Sequence, residues 1–435
     1  MAILQEIFNR KMALCLCLGY ASGLPYFVPA SLIYFWLTEE GVSLTEIGFL
    51  TVASLPYTLK FLWAPLLERF YFELFGRRRS WMFISQAALT LIIILMGTLD
   101  PQSDLQIIGL LLLLMAIFGA TQDIAIDAYR RELLDTEGEL GLGSSLFVQS
   151  YRFAIFVPKS LGIFLLARSS VEETFFVIGM FMAATMLLTF LISEANQKPS
   201  VPKNLVEAVM LPFTEFFSRK TMGYAVSLLF FMSLYKLGDN MATALAVPFY
   251  SVLGFTNDQI AFVTPLASVS SLLVGGILGG LLIIWIGINR ALWIFGAMQF
   301  ITIFGYVWLH ENPGNILVLG IVLCADYLVM GVTTTAVLAY ISRETSRHAV
   351  ATQFALFTAI TALPRVVASA VSGLIIETIG WVNFFYLSAI LALPGLLLLI
   401  WIAPFNGEKK RLQVLEKMDY FNERQTQPPE FQNKA

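Results

Sequence analysis

Asp123 and Asp127 stand four residues apart in an apolar run, so a helix there puts both carboxylates on one face. Neighbouring carboxylates resist ionising together, which suits a pair that holds and releases one proton. Asp127 also precedes Arg130 by three residues, and an ion pair at the helix end is the alternative use for it. In YKLGDN, Lys236 and Asp239 are three apart with Gly238 between them. They can form a neutral pair on one helix, or exchange partners as the helix loosens at the glycine. Asp326 lies deep in a further apolar run and suits a second titrating site or the partner of a buried arginine. Lys60, Arg152, Lys159 and Arg365 also sit in or at the ends of apolar stretches. Arginine grips a carboxylate through two parallel bonds, and lysine acts as a mobile point charge. These cations therefore suit an anionic, multiply carboxylated solute, or else they neutralise Asp123, Asp239 and Asp326.

The elements that position these groups are set by an oily chain. Of its 435 residues, 57% are hydrophobic and 13% charged, with a mean hydropathy of +0.75; soluble domains carry about 25% charged residues. A charge at mid-membrane costs about 2.5–3.5 kcal/mol, and such residues face a bundle interior or a wet cavity. Twelve stretches are long enough for spanning helices. They lie near 12–37, 44–67, 80–99, 106–129, 141–167, 173–193, 221–250, 256–286, 291–309, 314–340, 350–375 and 380–403. The seventh and eighth are over-long, so each must tilt or kink. The connections alternate in charge. One set carries Arg69, Arg77, Arg78, Arg79, Arg130, Arg131, Arg290 and Arg343, and the other carries Glu39, Glu40, Asp100, Asp104, Glu172, Glu173 and Glu311. Basic loops stay in the cytoplasm, which puts both termini there. Cys15, Cys17 and Cys324 lack metal or redox spacing, and His310 and His348 sit in loops. No cofactor, metal, nucleic-acid partner or enzymatic nucleophile is expected, and a single chain is expected to suffice.

Residues 194–219 interrupt the apolar pattern with a polar linker and an amphipathic segment. They divide the chain into an N-terminal six-helix half (1–193) and a C-terminal one (220–403), followed by a polar cytoplasmic tail (404–435). The halves echo one another. Gly76 and Gly287 are 211 residues apart, as are Arg79 and Arg290, Tyr129 and Tyr340, and Gly162 and Gly373. This predicts an all-α membrane protein of the major facilitator fold, with twelve transmembrane helices in two halves. FGRRRS resembles the basic loop that braces the gate in that superfamily. Gly76 supplies its turn, Arg77 a bracing charge, and Glu68–Arg69 the acidic–basic pair, although Glu68 stands further from Gly76 than is usual. Gly23, beside Gly19, Pro25 and Pro29, suits a moving gate or close helix packing.

Longer strings are more specific. GYASGLP, KFLWAPLLERF, FGRRRSW, QDIAIDAYR, YKLGDN and ATQFALFTAITALPRV resemble the muropeptide permeases, the AmpG-type branch of the major facilitators. The resemblance implies proton-driven import of N-acetylglucosaminyl-1,6-anhydro-N-acetylmuramyl peptides through the bacterial inner membrane, for peptidoglycan recycling. It carries Gly23, Lys60, Gln122, Asp123, Asp127, Lys236, Asp239 and Arg365 onto this chain. The expected roles are proton coupling for Asp123, Asp127, Asp239 and Asp326, and solute binding for Lys60, Gln122, Arg152, Lys236 and Arg365. Gating falls to Gly23, Glu68, Arg69, Gly76 and Arg77. A carrier of another solute, a non-transporting receptor and a membrane enzyme are the alternatives.

Overall fold

In lipid no water satisfies the backbone, so apolar stretches of this length must close their own hydrogen bonds as helices. The computed structural model describes residues 9–73, 75–193, 205–219, 221–346 and 349–407. Helices are the only regular elements among them. The linker's polar stretch 194–204, the tail from 408 to 435 and His348 lie outside the described residues.

Eight stretches of the described chain are long and apolar enough to cross a membrane. They include Arg10–Glu39 (span 1), Arg77–Met96 (span 3), Leu105–Leu133 (span 4), Glu137–Leu166 (span 5), Val171–Leu191 (span 6) and Ile316–Glu344 (span 10). The helices Asn257–His310 and Val350–Ile402 each hold two spans, 8 with 9 and 11 with 12. They break at Gly287 (φ 80°, ψ 164°) and Gly380 (φ 78°, ψ 166°), where a side chain would be strained. Spans 2 and 7 are broken into shorter pieces. Span 2 runs from Leu44–Leu50 through Leu55–Leu59 and Lys60–Leu62 to Ala64–Arg69. Span 7 is Met222–Leu234, Leu237–Thr243 and Ala246–Val252. With these two, the helices among the described residues are consistent with the twelve crossings expected. The over-long seventh span is interrupted, and the eighth carries Pro265 within its helix.

The internal echo is structural. Gly76 takes the same left-handed conformation as Gly287 (φ 85° and 80°). The Tyr129 hydroxyl donates to the Ser193 carbonyl (2.8 Å), tying the end of span 4 to that of span 6. Its counterpart Tyr340 donates to Ile402 O (3.3 Å), tying span 10 to span 12. Arg79 bonds the Thr189 carbonyl (3.1 Å) at the end of span 6, and Arg290 bonds Asn406 (2.9 Å) beyond span 12. Gly162 packs on Leu32 of span 1, and Gly373 faces Leu245 of span 7.

The halves join at the end that bears the basic loops. Gly141 lies against Ile283, and Ser145 Oγ donates to Gly276 O (2.6 Å). Arg343 pairs with Glu137 (3.2 Å), and the Ala351 N–H donates to Glu68 Oε1 (2.7 Å). The amphipathic helix Leu205–Arg219 packs across this junction. Gln353 Nε2 donates to Pro212 O (2.9 Å), and Phe216 meets Phe357 edge-on at 5.3 Å. Val206, Val209 and Met210 stay exposed on another face of that helix, as expected for a helix lying at the lipid headgroups.

Candidate functional site

In the first half, span 4 carries Asp123 and Asp127 on one face, one turn apart. Span 2 loosens into a 3-10 turn at Lys60–Leu62, which brings the buried Lys60 ammonium between the two acids. Its Nζ donates to Asp123 Oδ2 and lies 3.7 Å from Asp127 Oδ2. Ser22 of span 1 donates to the other Asp123 oxygen (2.6 Å). Asp127 also accepts from Arg130 Nη2 (3.2 Å). The Arg130 guanidinium is fully buried between the rings of Phe147 (4.7 Å) and Phe354 (5.3 Å), and bonds Ser144 (3.0 Å). Two acids and two cations thus form one network, as burial of charge requires. Both uses weighed for Asp127 meet here, since it pairs with Arg130 and also shares Lys60 with Asp123.

The second half differs. Lys236 sits in the gap between two helical pieces (φ −104°, ψ 7°). Its carbonyl still accepts from the Asn240 N–H (2.9 Å), so Lys236 caps the helix that carries Asp239, yet no ion pair joins the two side chains. Lys236 Nζ instead donates to Thr334 Oγ1 of span 10 (3.0 Å). Asp239 is buried, and its Oδ2 has no hydrogen-bond partner. Asp326 is equally buried and accepts from the Tyr306 hydroxyl (2.9 Å). Lys236 lies within electrostatic range of Asp239, Asp326 and Arg365, and of Arg152 from the opposite half. Arg152 Nη1 is buried without a hydrogen-bond partner, and Arg365 is exposed. Cations from spans 5 and 11 thus gather around Lys236 of span 7. Lys159 is also exposed, further along span 5 in the π-helical turn Val157–Gly162.

Two expected residues pack against neighbouring helices. Gln122 is fully buried; its Nε2 donates to Ala21 O (2.7 Å), bracing span 4 on span 1, and its Oε1 has no hydrogen-bond partner. Gly23 packs so closely that a Cβ would overlap the Tyr151 carbonyl, which favours helix packing over a hinge.

At the basic end, Gly76 turns the chain so that Arg77 and Arg78 point back at Glu68. Glu68 Oε2 accepts from Arg77 (3.0 Å) and Arg78 (3.1 Å), and Glu132 accepts from the same two (2.9 and 2.7 Å). All four side chains are buried. Glu68 keeps its second oxygen for the Ala351 N–H at the start of span 11. Arg69, the expected partner of Glu68, lies over the Phe70 ring instead (5.8 Å). Glu132 and Ala351 were not singled out from the sequence, and Arg78 was marked only as one of the loop's basic residues. An acid directly after two arginines at the end of span 4 was the available signal for Glu132. Among the described residues no group of His, Cys, Asp and Glu could hold a metal ion.

The Major Facilitator Superfamily profile matches residues 12–369. An uncharacterized protein of Haemophilus influenzae is 38% identical over 94% of this chain and 98% of its own length. The anhydromuropeptide permease of Escherichia coli K12 is 33% identical over 91% of this chain and 80% of its own length. A Rickettsia conorii protein named putative transporter AmpG 4 is 30% identical over 88% and 94%. Among solved structures, the transporter FucP in the outward conformation superposes with a TM-score of 0.69 at 12% identity, covering 91% of this chain and 99% of that one. The human organic anion transporter MFSD10 superposes with a TM-score of 0.67 at 14% identity, over 90% and 100%. Both are likenesses of fold. The chain is a multi-pass membrane transporter, and it belongs to the Major Facilitator Superfamily, in its AmpG-type muropeptide permease branch.

Proposed function

We propose that this transporter imports anhydro-muropeptides across the bacterial inner membrane, coupled to protons, by alternating access. The observation that carries this reading is the gathering of Arg152 and Arg365, from both halves, around Lys236 beside buried aspartates. Peptide carboxylates are the anions such cations suit. The names of the Escherichia coli and Rickettsia relatives support the same solute class. The positive-inside rule assigns the basic end and both termini to the cytoplasm. The halves, 1–193 and 220–403, then rock about the solute with 194–219 as their tether. In this reading the contacts between the halves at the basic end close the path on the cytoplasmic side.

In this reading the protons ride on Asp123, Asp127, Asp239 and Asp326. Neutralising Asp123 frees Lys60, and an arriving carboxylate draws on Lys236 and Arg152. Both events change which facing state is favoured, which is all that coupling requires. The Glu68 carboxylate, held by Arg77 and Arg78, secures the closed end through Ala351, and its release opens the site inward. The test is uptake of radiolabelled anhydro-muropeptide into proteoliposomes with an imposed pH gradient. Accumulation that collapses with the gradient is expected. Counterflow that is absent for anhydro-muropeptide rules the reading out.

A further inference from the structure

Only two residues separate the linker helix Leu205–Arg219 from the start of span 7 at Met222, so its C-terminal end is held at the bilayer surface. At about 100° per residue, its side chains fall into three faces. Pro212 and Phe216 are buried and, with Glu215, form the face packed on the bundle. Val206, Val209 and Met210 are exposed, and the half-buried Phe213 and Phe217 continue their apolar stripe. Glu207, Thr214 and Ser218 make up the third face, with Leu211 its one apolar member. The three faces lie about 120° apart. A helix surrounded by cytosol has no use for an exposed apolar stripe beside its packed face. One face for protein, one for acyl chains and one for water is the order required where a bundle, a leaflet and the cytosol meet.

The linker helix touches both halves, at the end of span 2 (Ala64–Arg69) and on spans 7 and 11. Its catch is Gln353 of span 11. That side chain is buried; its Nε2 donates to Pro212 O (2.9 Å) and Glu215 Oε2 (2.5 Å), and its Oε1 accepts from the Ser346 N–H (2.8 Å). Gln353 stands two residues after Ala351, whose N–H holds Glu68 of the opposite half. The linker helix and the closing contact thus share the first turn of span 11. We infer that the exposed stripe is a docking surface for the cytoplasmic leaflet, and that the linker helix, seated in lipid, straps the two halves together at the basic end. Parting the halves there draws span 2 from span 11 beneath the helix. Either Gln353 then releases Pro212 and Glu215, or the stripe leaves the acyl chains. The lipid seat therefore favours the closed end. This goes beyond the import reading: it uses the closed basic end and not the identity of the solute.

The test uses full-length protein carrying Cys15→Ala, Cys17→Ala and Cys324→Ala, in liposomes of phosphatidylethanolamine and phosphatidylglycerol. A fluorophore on Val209→Cys should be quenched by brominated acyl chains about threefold more than one on Thr214→Cys, which lies about 140° round the helix. Equal quenching overturns the docking surface. The strap is read from alkylation of Ser145→Cys, a buried position between the halves. Val206→Gln combined with Met210→Gln, which changes only the exposed stripe, should speed alkylation about fivefold or more, and so should Gln353→Leu. Melting temperature and gel-filtration profile report folding, and Glu215→Ala, which removes one bond from the helix side, serves if Gln353→Leu does not fold. An unchanged rate in the stripe variant overturns the strap, because packing alone then holds the helix. Alkylation of the parent as fast as of a free thiol overturns the strap and the closed basic end together. Neither readout involves a solute, so failure of muropeptide counterflow sinks the import reading and leaves the strap standing.

Discussion

The two halves bury similar acids in different company. In the first, Asp123 and Asp127 each touch a cation, and Arg130 carries the network to Ser342 and Phe354 of the other half (3.5 and 5.3 Å). In the second, Asp239 and Asp326 are as deeply buried, yet among the described residues neither has a cation within ion-pair distance; a tyrosine hydroxyl serves Asp326. Lys236, Thr302 and Tyr250 surround them without closing an ion pair. A charge buried without a partner costs several kcal/mol, whereas a neutral acid does not. The contrast assigns different work to the two pairs within the proposed mechanism. The first is wired to the junction between the halves and suits holding a conformation. The second is insulated from it and suits carrying a proton.

The sharpest way to break this comparison is Lys60→Ala. It removes the only cation on Asp123 among the described residues and leaves Asp127 to Arg130 alone, so uptake should be lost and the protein destabilised by about 3–5 kcal/mol, read as a lowered melting temperature. Asp326→Asn should act on coupling alone. Accumulation against a pH gradient should fall about 100-fold or more, while counterflow and melting temperature stay near wild type, because no ion pair is lost. Asp123→Asn should also abolish gradient-driven uptake without preventing membrane insertion. Full accumulation by it would leave the second pair as the sole carrier. Glu68→Gln should weaken the closure at Ala351. Alkylation of a cysteine placed at Ser145 should then speed up about tenfold, and an unchanged rate would detach Glu68 from the gate. The smallest effect is expected from Gln122→Leu, which removes the bond to Ala21. It should lower stability by about 1 kcal/mol and leave the transport KM unchanged; a raised KM would return Gln122 to the solute site.

Lipid explains why so much of the fold was legible. A spanning helix needs about 20 apolar residues in an unbroken run, and the predicted 141–167 differs little from the observed Glu137–Leu166. The 211-residue echo was legible for a related reason. Gly76 and Gly287 share a backbone conformation that favours glycine, and Tyr129 and Tyr340 make the same tie between helices. The candidate site was legible as a set of charges, because charge in an apolar run is conspicuous.

Which charges meet was decided by the tertiary structure. Lys60 reaches Asp123 and Asp127 because span 2 leaves α-helical geometry there, and nothing in KFLWAPLL announces that turn. Lys236 caps the helix that carries Asp239, yet its ammonium turns to Thr334 of span 10. Gln122 faces inward while its neighbour Asp123 does not, a matter of how span 4 is rotated against spans 1 and 2. Hydropathy determines that a segment crosses the bilayer. Its rotation and its local breaks follow from packing against neighbours, so the sequence by itself determined the spans, their repeat and the buried charges. Only the packed bundle determined that Glu68 answers to Arg77, Arg78 and Ala351 and not to Arg69.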